Sequence, residues 1–263
     1  MFSENNKNGL IYMTSSVIPA RHLFTTRYGG VSTGDFASLN LGSHRGDPQE
    51  NVAENYRRVA AFFGVGRDVC AVTKQVHGTE VRVVTGADKH ICGSKTPYEA
   101  DGLITAERGL PILCFVADCV PALLCDAEHG VIAAVHCGWR SSVADILGVT
   151  VEKMCALGAE PASICAAMGA SIGRCCFETD DDVPDAVKKY LGCDAEELFD
   201  RRPDGKTMVD LRAANAMRLR QLGLRAENID LSHECTMCSH EKYWSHRYTH
   251  GQRGSQAALI VLD

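Results

Sequence analysis

The chain has 263 residues, of which 45% are hydrophobic and 23% charged, the proportions of a globular protein with a sizeable core. A net charge of −6 and a pI near 5.9 argue against nucleic-acid binding through a basic face, and no run approaches the ~18 uninterrupted apolar residues of a membrane span. The polar start, MFSENNKNGL, lacks the apolar core of a secretion signal, so the expected compartment is the cytoplasm and the thirteen cysteines are expected as reduced thiols.

In chain order, β-branched and aromatic residues predict a strand over 22–26, followed by Arg27 and a Gly29-Gly30 corner. A glycine-punctuated loop, SLNLGSHRGDP, carries Asn40, His44 and Arg45. Asp47-Pro48-Gln49-Glu50 reads as an N-cap aspartate with proline at the first helical position, predicting a helix over 48–63 that Gly64 stops. Residues 70–84, CAVTKQVHGTEVRVV, predict two strands or one strand bent at Gly78, with Lys74, Gln75 and His77 near the bend. A loop over 86–98 and a short strand over 103–105 follow.

Two buried strands come next. The run 112–116 delivers Asp118 and Cys119 at its end, and the run 131–135, after a turn at His129-Gly130, delivers His136, Cys137, Gly138, Trp139 and Arg140. As neighbours they would set a thiol beside an imidazole. Ser141 or Ser142 is expected to cap a helix reaching 157, whose start would favour an anion. A strand over 163–167 leads into the corner MGASIGRCCFE with Arg174, Cys175, Cys176 and Glu178. Helices over 182–191 and 211–222, the second capped by Asp210, flank a polar loop, RRPDGKT, and strands near 229–232 and 257–262 bracket HECTMCSHEKYWSHR. Short connections such as 126–130 imply antiparallel neighbours. With no repeat or linker, the pattern indicates an α+β fold: residues 1–20 as an N-terminal extension and first strand, then a single domain over 21–263.

Catalytic zinc typically has three His, Cys or carboxylate ligands and one open position, and His77, Cys119 and His136 could supply them from separate strand ends. Asp118 or a backbone carbonyl would then orient an imidazole. The same atoms also allow Cys119 as a nucleophile with His136 as its base. His233, Cys235, Cys238 and His240, built on a CxxC, form a second candidate metal site. None of the ten histidines falls in a His-x-His pair, which counts against a copper cluster and a laccase mechanism.

TTRYGGVS, SLNLGSHRGD, KQVHG, ADGLIT, ADCVPALLCD, AAVHCGWR, MGASIGRCCFE and WSHR occur in that order. Over residues 21–262 the set resembles the laccase-domain family, once described as multicopper polyphenol oxidases, whose members are purine nucleoside phosphorylases with associated adenosine deaminase activity. The resemblance implies a single α+β domain of packed mixed β-sheets flanked by helices, with zinc held by His77, Cys119 and His136. The sequence departs from the family pattern at Cys137, at Ser141 and at His246-Arg247-Tyr248.

The implied substrates are purine nucleosides and phosphate: adenosine and inosine, extending to guanosine and methylthioadenosine. Deamination would use a zinc-activated water at C6 of adenosine with a nearby acid–base group. Cys119, His136 and Asp118 are the expected catalytic residues. Arg27, Arg140 and Arg247 are candidate phosphate partners, and Asn40 and Gln75 candidate nucleoside contacts. The competing readings are a Cys–His hydrolase acting in peptidoglycan-precursor editing, a binding protein that keeps the fold without turnover, and, disfavoured, a polyphenol oxidase.

Overall fold

The computed structural model describes residues 1–43, 46–65, 70–90, 98–193 and 195–263. Two large β-sheets pack face to face. The first has five antiparallel strands in the order β1 (Phe2–Lys7), β2 (Leu10–Ser15), β3 (Arg21–Thr25), β14 (Gln256–Val261) and β6 (Ile112–Val116). The second has six, in the order β13 (Ile229–Leu231), β9 (Cys165–Met168), β7 (Val120–Asp126), β8 (Val131–Cys137), β5 (Gly102–Thr105) and β4 (Val81–Val83). Its outer pairs, β13 with β9 and β4 with β5, are parallel and its inner pairs antiparallel, so the sheet is mixed.

Strand alternation builds the layers. Leu123, Cys125, Ile132 and Ala134 face Phe24, Cys114 and Ala258 of the first sheet, while Ala122, Leu124, Ala133 and Val135 face the other way, against the helices α3 (Ile146–Ala156) and α5 (Leu211–Gln221). Both faces of β7 and β8 are therefore buried, which is why their sequences are nearly continuous apolar runs. The outer face of the first sheet, through Leu23, Leu113 and Leu259, is covered by Val52, Tyr56, Val59 and Phe63 of α1 (Gln49–Phe63). The α+β expectation of mixed sheets flanked by helices is met. No helix among the described residues is long and apolar enough to cross a membrane.

Several local expectations change. The strands 112–116 and 131–135 are not neighbours: β6 lies in one sheet and β8 in the other, flanked by β7 and β5. The intervening β7, for which no element was expected, carries Pro121 at its second residue, where the ladder loses least. Asp47 does not cap α1, whose N-cap is Pro48; its carboxylate accepts instead from Ser32 Oγ at 2.6 Å and Asn40 Nδ2 at 2.9 Å. The helix expected from Ser141 or Ser142 to 157 starts at Trp139 with Gly138 as N-cap and is two pieces, α2 (Trp139–Val143) and α3. They divide at Asp145, held at φ 70° because its carboxylate accepts Gly148 N–H at 3.1 Å and Arg218 Nε at 2.9 Å. A first piece of five residues has little dipole to offer an anion.

Within 70–84 only β4 forms a ladder; Cys70, Ala71 and Lys74 make single bridges. The expected RRPDGKT loop is the turn of a hairpin, β11 (Phe199–Arg201) with β12 (Thr207–Val209), joined by β10 (Glu178–Thr179) into a third small sheet. α4 (Asp182–Leu191) lies beside α5, which Asp210 caps through Ala213 N–H. His44 and Arg45, and 91–97 of the expected 86–98 loop, lie outside the described residues.

Candidate metal centre

The site is assembled around a buried carboxylate just before β5. Asp101 accepts the backbone N–H groups of Val76 at 3.1 Å, His77 at 2.9 Å and Gly78 at 2.8 Å. This clamp holds His77 at φ 61°, a left-handed conformation that a histidine does not adopt without such support. The same carboxylate meets His136 Nδ1 at 2.8 Å, and its backbone carbonyl accepts His136 N–H at 2.8 Å. An ionised carboxylate only accepts, so His136 Nδ1 carries a proton and Nε2 is the nitrogen that would ligate a metal. The partner that orients an imidazole is thus Asp101, not Asp118.

Asp118 and Cys119 form the turn from β6 to β7. Asp118 is held at φ 87° because all its acceptors are used: the carboxylate takes Thr236 Oγ1 and Arg247 N–H, each at 2.6 Å, and the carbonyl takes Ile172 N–H at 2.9 Å. The turn points the Cys119 sulfur at the two rings, 3.8 Å from His77 Nε2. The rings stand edge-on with centroids 4.7 Å apart, and the ligand atoms of His77, Cys119 and His136 all lie within 4.8 Å of one another. Gly138 closes one side. A Cβ there would stand 2.7 Å from His77 Cδ2 and 3.4 Å from Cys119 Sγ, so the packing leaves no room for any other residue.

Burial pushes the Cys119 thiol up, but His136 and then His77 outweigh it and bring it to about 6. Burial lowers His136, while the Cys119 thiolate and Asp101 raise it further, to about 9. Without a metal the pair is therefore a thiolate beside an imidazolium at neutral pH. Two imidazoles and a thiolate converging from three directions, one imidazole fixed by a carboxylate, match the three-ligand donor set of catalytic zinc with its open fourth position.

The triad lies in a cavity of about 280 Å³ whose wall also includes Thr73, Lys74, Gln75, Phe115, Arg253 and Ser255. Gln75 is there, with its amide spent on both backbone groups of Phe115, at 2.7 and 2.6 Å. Asn40 is buried behind the wall, bonded to Gly42 N–H at 2.7 Å, Ser255 N–H at 2.9 Å and Asp47. None of the three predicted arginines lines the cavity. Arg27 donates to the carbonyls of Ala37 and His240 and stacks 4.0 Å over Trp244; Arg140 is exposed and stacks 4.3 Å over Trp139; Arg247 reaches the Glu178 carbonyl.

The cations in the wall are Lys74, paired with Glu99 at 2.7 Å, and Arg253, which donates to Gly254 O and Ser255 Oγ at 2.9 Å. Sequence reasoning missed Asp101 and Arg253. The available signals were an acid placed before the apolar strand GLIT and a lone arginine between glycines ahead of the last strand.

The second candidate metal site is also rearranged. Cys235 and Cys238 converge with Cys175 and Cys176, not with His233 and His240; His233 is exposed, and His240 stacks on Tyr248 with centroids 3.6 Å apart.

Residues 21–263 match the family described as multi-copper polyphenol oxidoreductase laccase. The chain is 37% identical to a purine nucleoside phosphorylase of Corynebacterium glutamicum, over 93% of this chain and 95% of that one. It is 36% identical to the adenosine deaminase RL5 of an unknown prokaryotic organism, over 81% of this chain and 82% of that one. Among solved structures it is similar to YlmD from Geobacillus stearothermophilus, with a TM-score of 0.92 at 30% identity over 98% and 97% of the two chains. It is equally similar to the hypothetical protein YfiH of Bacillus licheniformis, with a TM-score of 0.92 at 27% identity over 99% of each.

Proposed function

The chain belongs to the family described as multi-copper polyphenol oxidoreductase laccase, and we propose that it is a zinc-dependent purine nucleoside phosphorylase that also deaminates adenosine. The observation that carries this reading is the His77, Cys119 and His136 triad at the floor of a cavity with cationic residues in its wall. The names of its relatives support the activity. Copper oxidation is disfavoured, because a cluster of copper ions needs more imidazoles than the two that meet here.

Zinc on His77, Cys119 and His136 would supply a Lewis acid and lower the pKa of a bound water. Asp101 holds the Nδ1 proton of His136 and so keeps Nε2 free to ligate. Gln75 fixes the backbone of Phe115, an aromatic residue in the cavity wall. Arg253 and Lys74 set positive charge where phosphate would enter. In phosphorolysis a phosphate oxygen bonds to ribose C1′, the C1′–N9 bond breaks, and its electron pair leaves with the purine. Adenosine and inosine are the expected substrates, with guanosine and methylthioadenosine as further ones.

One observation favours a second reading, a Cys–His hydrolase: the depressed thiol of Cys119 beside His136. Turnover of adenosine and inosine with and without phosphate, alongside metal analysis of wild type and Cys119→Ala, separates them. The phosphorylase needs phosphate, yields ribose 1-phosphate and loses metal and activity together in the variant. A Cys119→Ala protein that keeps its metal, or turnover indifferent to phosphate, would move the assignment to the hydrolase.

A further inference from the structure

Four cysteines from two distant segments meet on the far side of the Cys119 turn. Cys175 and Cys176 lie in the turn after β9, where Cys176 and Phe177 N–H both bond to Gly173 O at 2.9 Å. Cys235 and Cys238 lie in the segment after β13, tied to the same corner by the bridge between Ser171 and Cys235. The Cys238 sulfur is 3.5 Å from that of Cys175 and 3.4 Å from that of Cys176, and all four sulfurs lie within 4.8 Å of one another. A tetrahedron of thiolates around zinc, with bonds of ~2.3 Å, has sulfur–sulfur edges of about 3.8 Å. The cluster has that size before any ion is placed in it.

Its surroundings suit a dianionic tetrathiolate centre. The Gly173 N–H points at Cys235 Sγ at 3.2 Å, and the guanidinium of the buried Arg212 lies close enough for its charge to couple to Cys235 and Cys175. Gly173 packs tightly into the cluster: a Cβ there would come within 3.1 Å of Cys235 Cβ, 3.3 Å of Cys175 Sγ and 3.4 Å of Arg212. Four free thiols gain little from facing one another, being weak donors and weak acceptors.

We propose that Cys175, Cys176, Cys235 and Cys238 bind a structural zinc ion distinct from the one at the catalytic triad. All four positions are filled by protein, so this ion does no chemistry on substrate. It fastens the segment after β13 to the turn after β9, joining residues 62 positions apart in the chain. Thr236, between two of the ligands, donates to Asp118, as does Arg247 N–H a little further on. The second zinc thereby braces the turn that aims Cys119.

The test counts zinc in the full chain purified under reducing conditions, with His77, Cys119 and His136 replaced by alanine to empty the triad. That variant should retain one zinc per chain, and adding Cys235→Ser and Cys238→Ser should abolish it. Should the combined variant not fold, the triad variant alone decides. Loaded with cobalt it should show intense thiolate-to-metal charge transfer and tetrahedral ligand-field bands, and its four cysteines should resist alkylation until a chelator is added. A triad variant that holds no metal and is alkylated at all four positions without chelator would overturn the proposal, as would a disulfide within the cluster or iron in place of zinc.

Discussion

Replacing Asp101 by asparagine isolates the group that holds the metal centre together. The carboxylate accepts three backbone N–H groups through its two oxygens and the Nδ1–H of His136 through one of them. The amide keeps one oxygen and turns the other into a donor. If the nitrogen takes the Oδ2 position, Val76 and Gly78 N–H lose their acceptor; if it takes the Oδ1 position, His77 N–H and His136 do. Either way two donors are orphaned at a buried acid, at about 1.5–3 kcal/mol each for a bond to a charged group, so the expected destabilisation is about 3–6 kcal/mol in urea unfolding.

The metal should suffer as well. Loss of the carboxylate that orients a ligating imidazole costs roughly 10–100-fold in affinity, readable by competition with a chromophoric chelator. The two readouts should fall together. An Asp101→Asn protein with wild-type zinc affinity and wild-type unfolding midpoint would refute the role given to this residue.

Gly138→Ala places a methyl group 2.7 Å from His77 Cδ2 and should expel that ring, lowering zinc affinity by at least roughly tenfold while overpacking costs about 1–3 kcal/mol. Arg253→Ala should raise KM for phosphate by roughly tenfold or more, the weight of one charged hydrogen bond, with less change in KM for inosine; equal changes in both would point to a wall residue without a phosphate role. Acid stability should depend on Asp126. Burial pushes its carboxyl up, but the N–H groups of Glu160 and His129 and the His129 ring outweigh this and lower it. A carboxyl depressed in the folded state stabilises above the unfolded pKa of about 4 and loses that contribution as pH falls through the lower folded value. Its partner His129 is raised, chiefly by that hydrogen bond, so its share is full below about pH 6.5 and fades as pH rises through the folded value. Urea midpoints of Asp126→Asn against pH should therefore lose the wild-type slope on the acid side, and an unchanged slope would remove Asp126 from the account.

What was legible in the sequence divides along the range of the interactions. Helix α4 and strand β6 match their expected bounds because local periodicity and caps determine them. Strand β7 had no expected counterpart, and its place between β8 and β9 is a property of the tertiary ladder. The split at Asp145 depends on Arg218, far along the chain. The triad was in view as ligand types at separate strand ends, and the motif resemblance singled it out, since ligands so dispersed have no diagnostic spacing.

The arginines failed to line the cavity for a related reason: a guanidinium can be satisfied by carbonyls, as Arg27 is by Ala37 and His240, and a sequence does not reveal that competition. The CxxC at Cys235 was in view as the core of a candidate metal site with His233 and His240. Its actual neighbours, Cys175 and Cys176, were in view as a corner but not as partners, because a pairing across 62 residues is a property of the fold.

The central claim, a phosphorylase built on the His77, Cys119 and His136 centre, is tested most directly by identifying the sugar released from inosine by zinc-loaded protein in phosphate. Ribose 1-phosphate formed in step with hypoxanthine, and lost together with the metal in Cys119→Ala, is the predicted result. Free ribose, or hypoxanthine release that continues unchanged without phosphate or zinc, would contradict it.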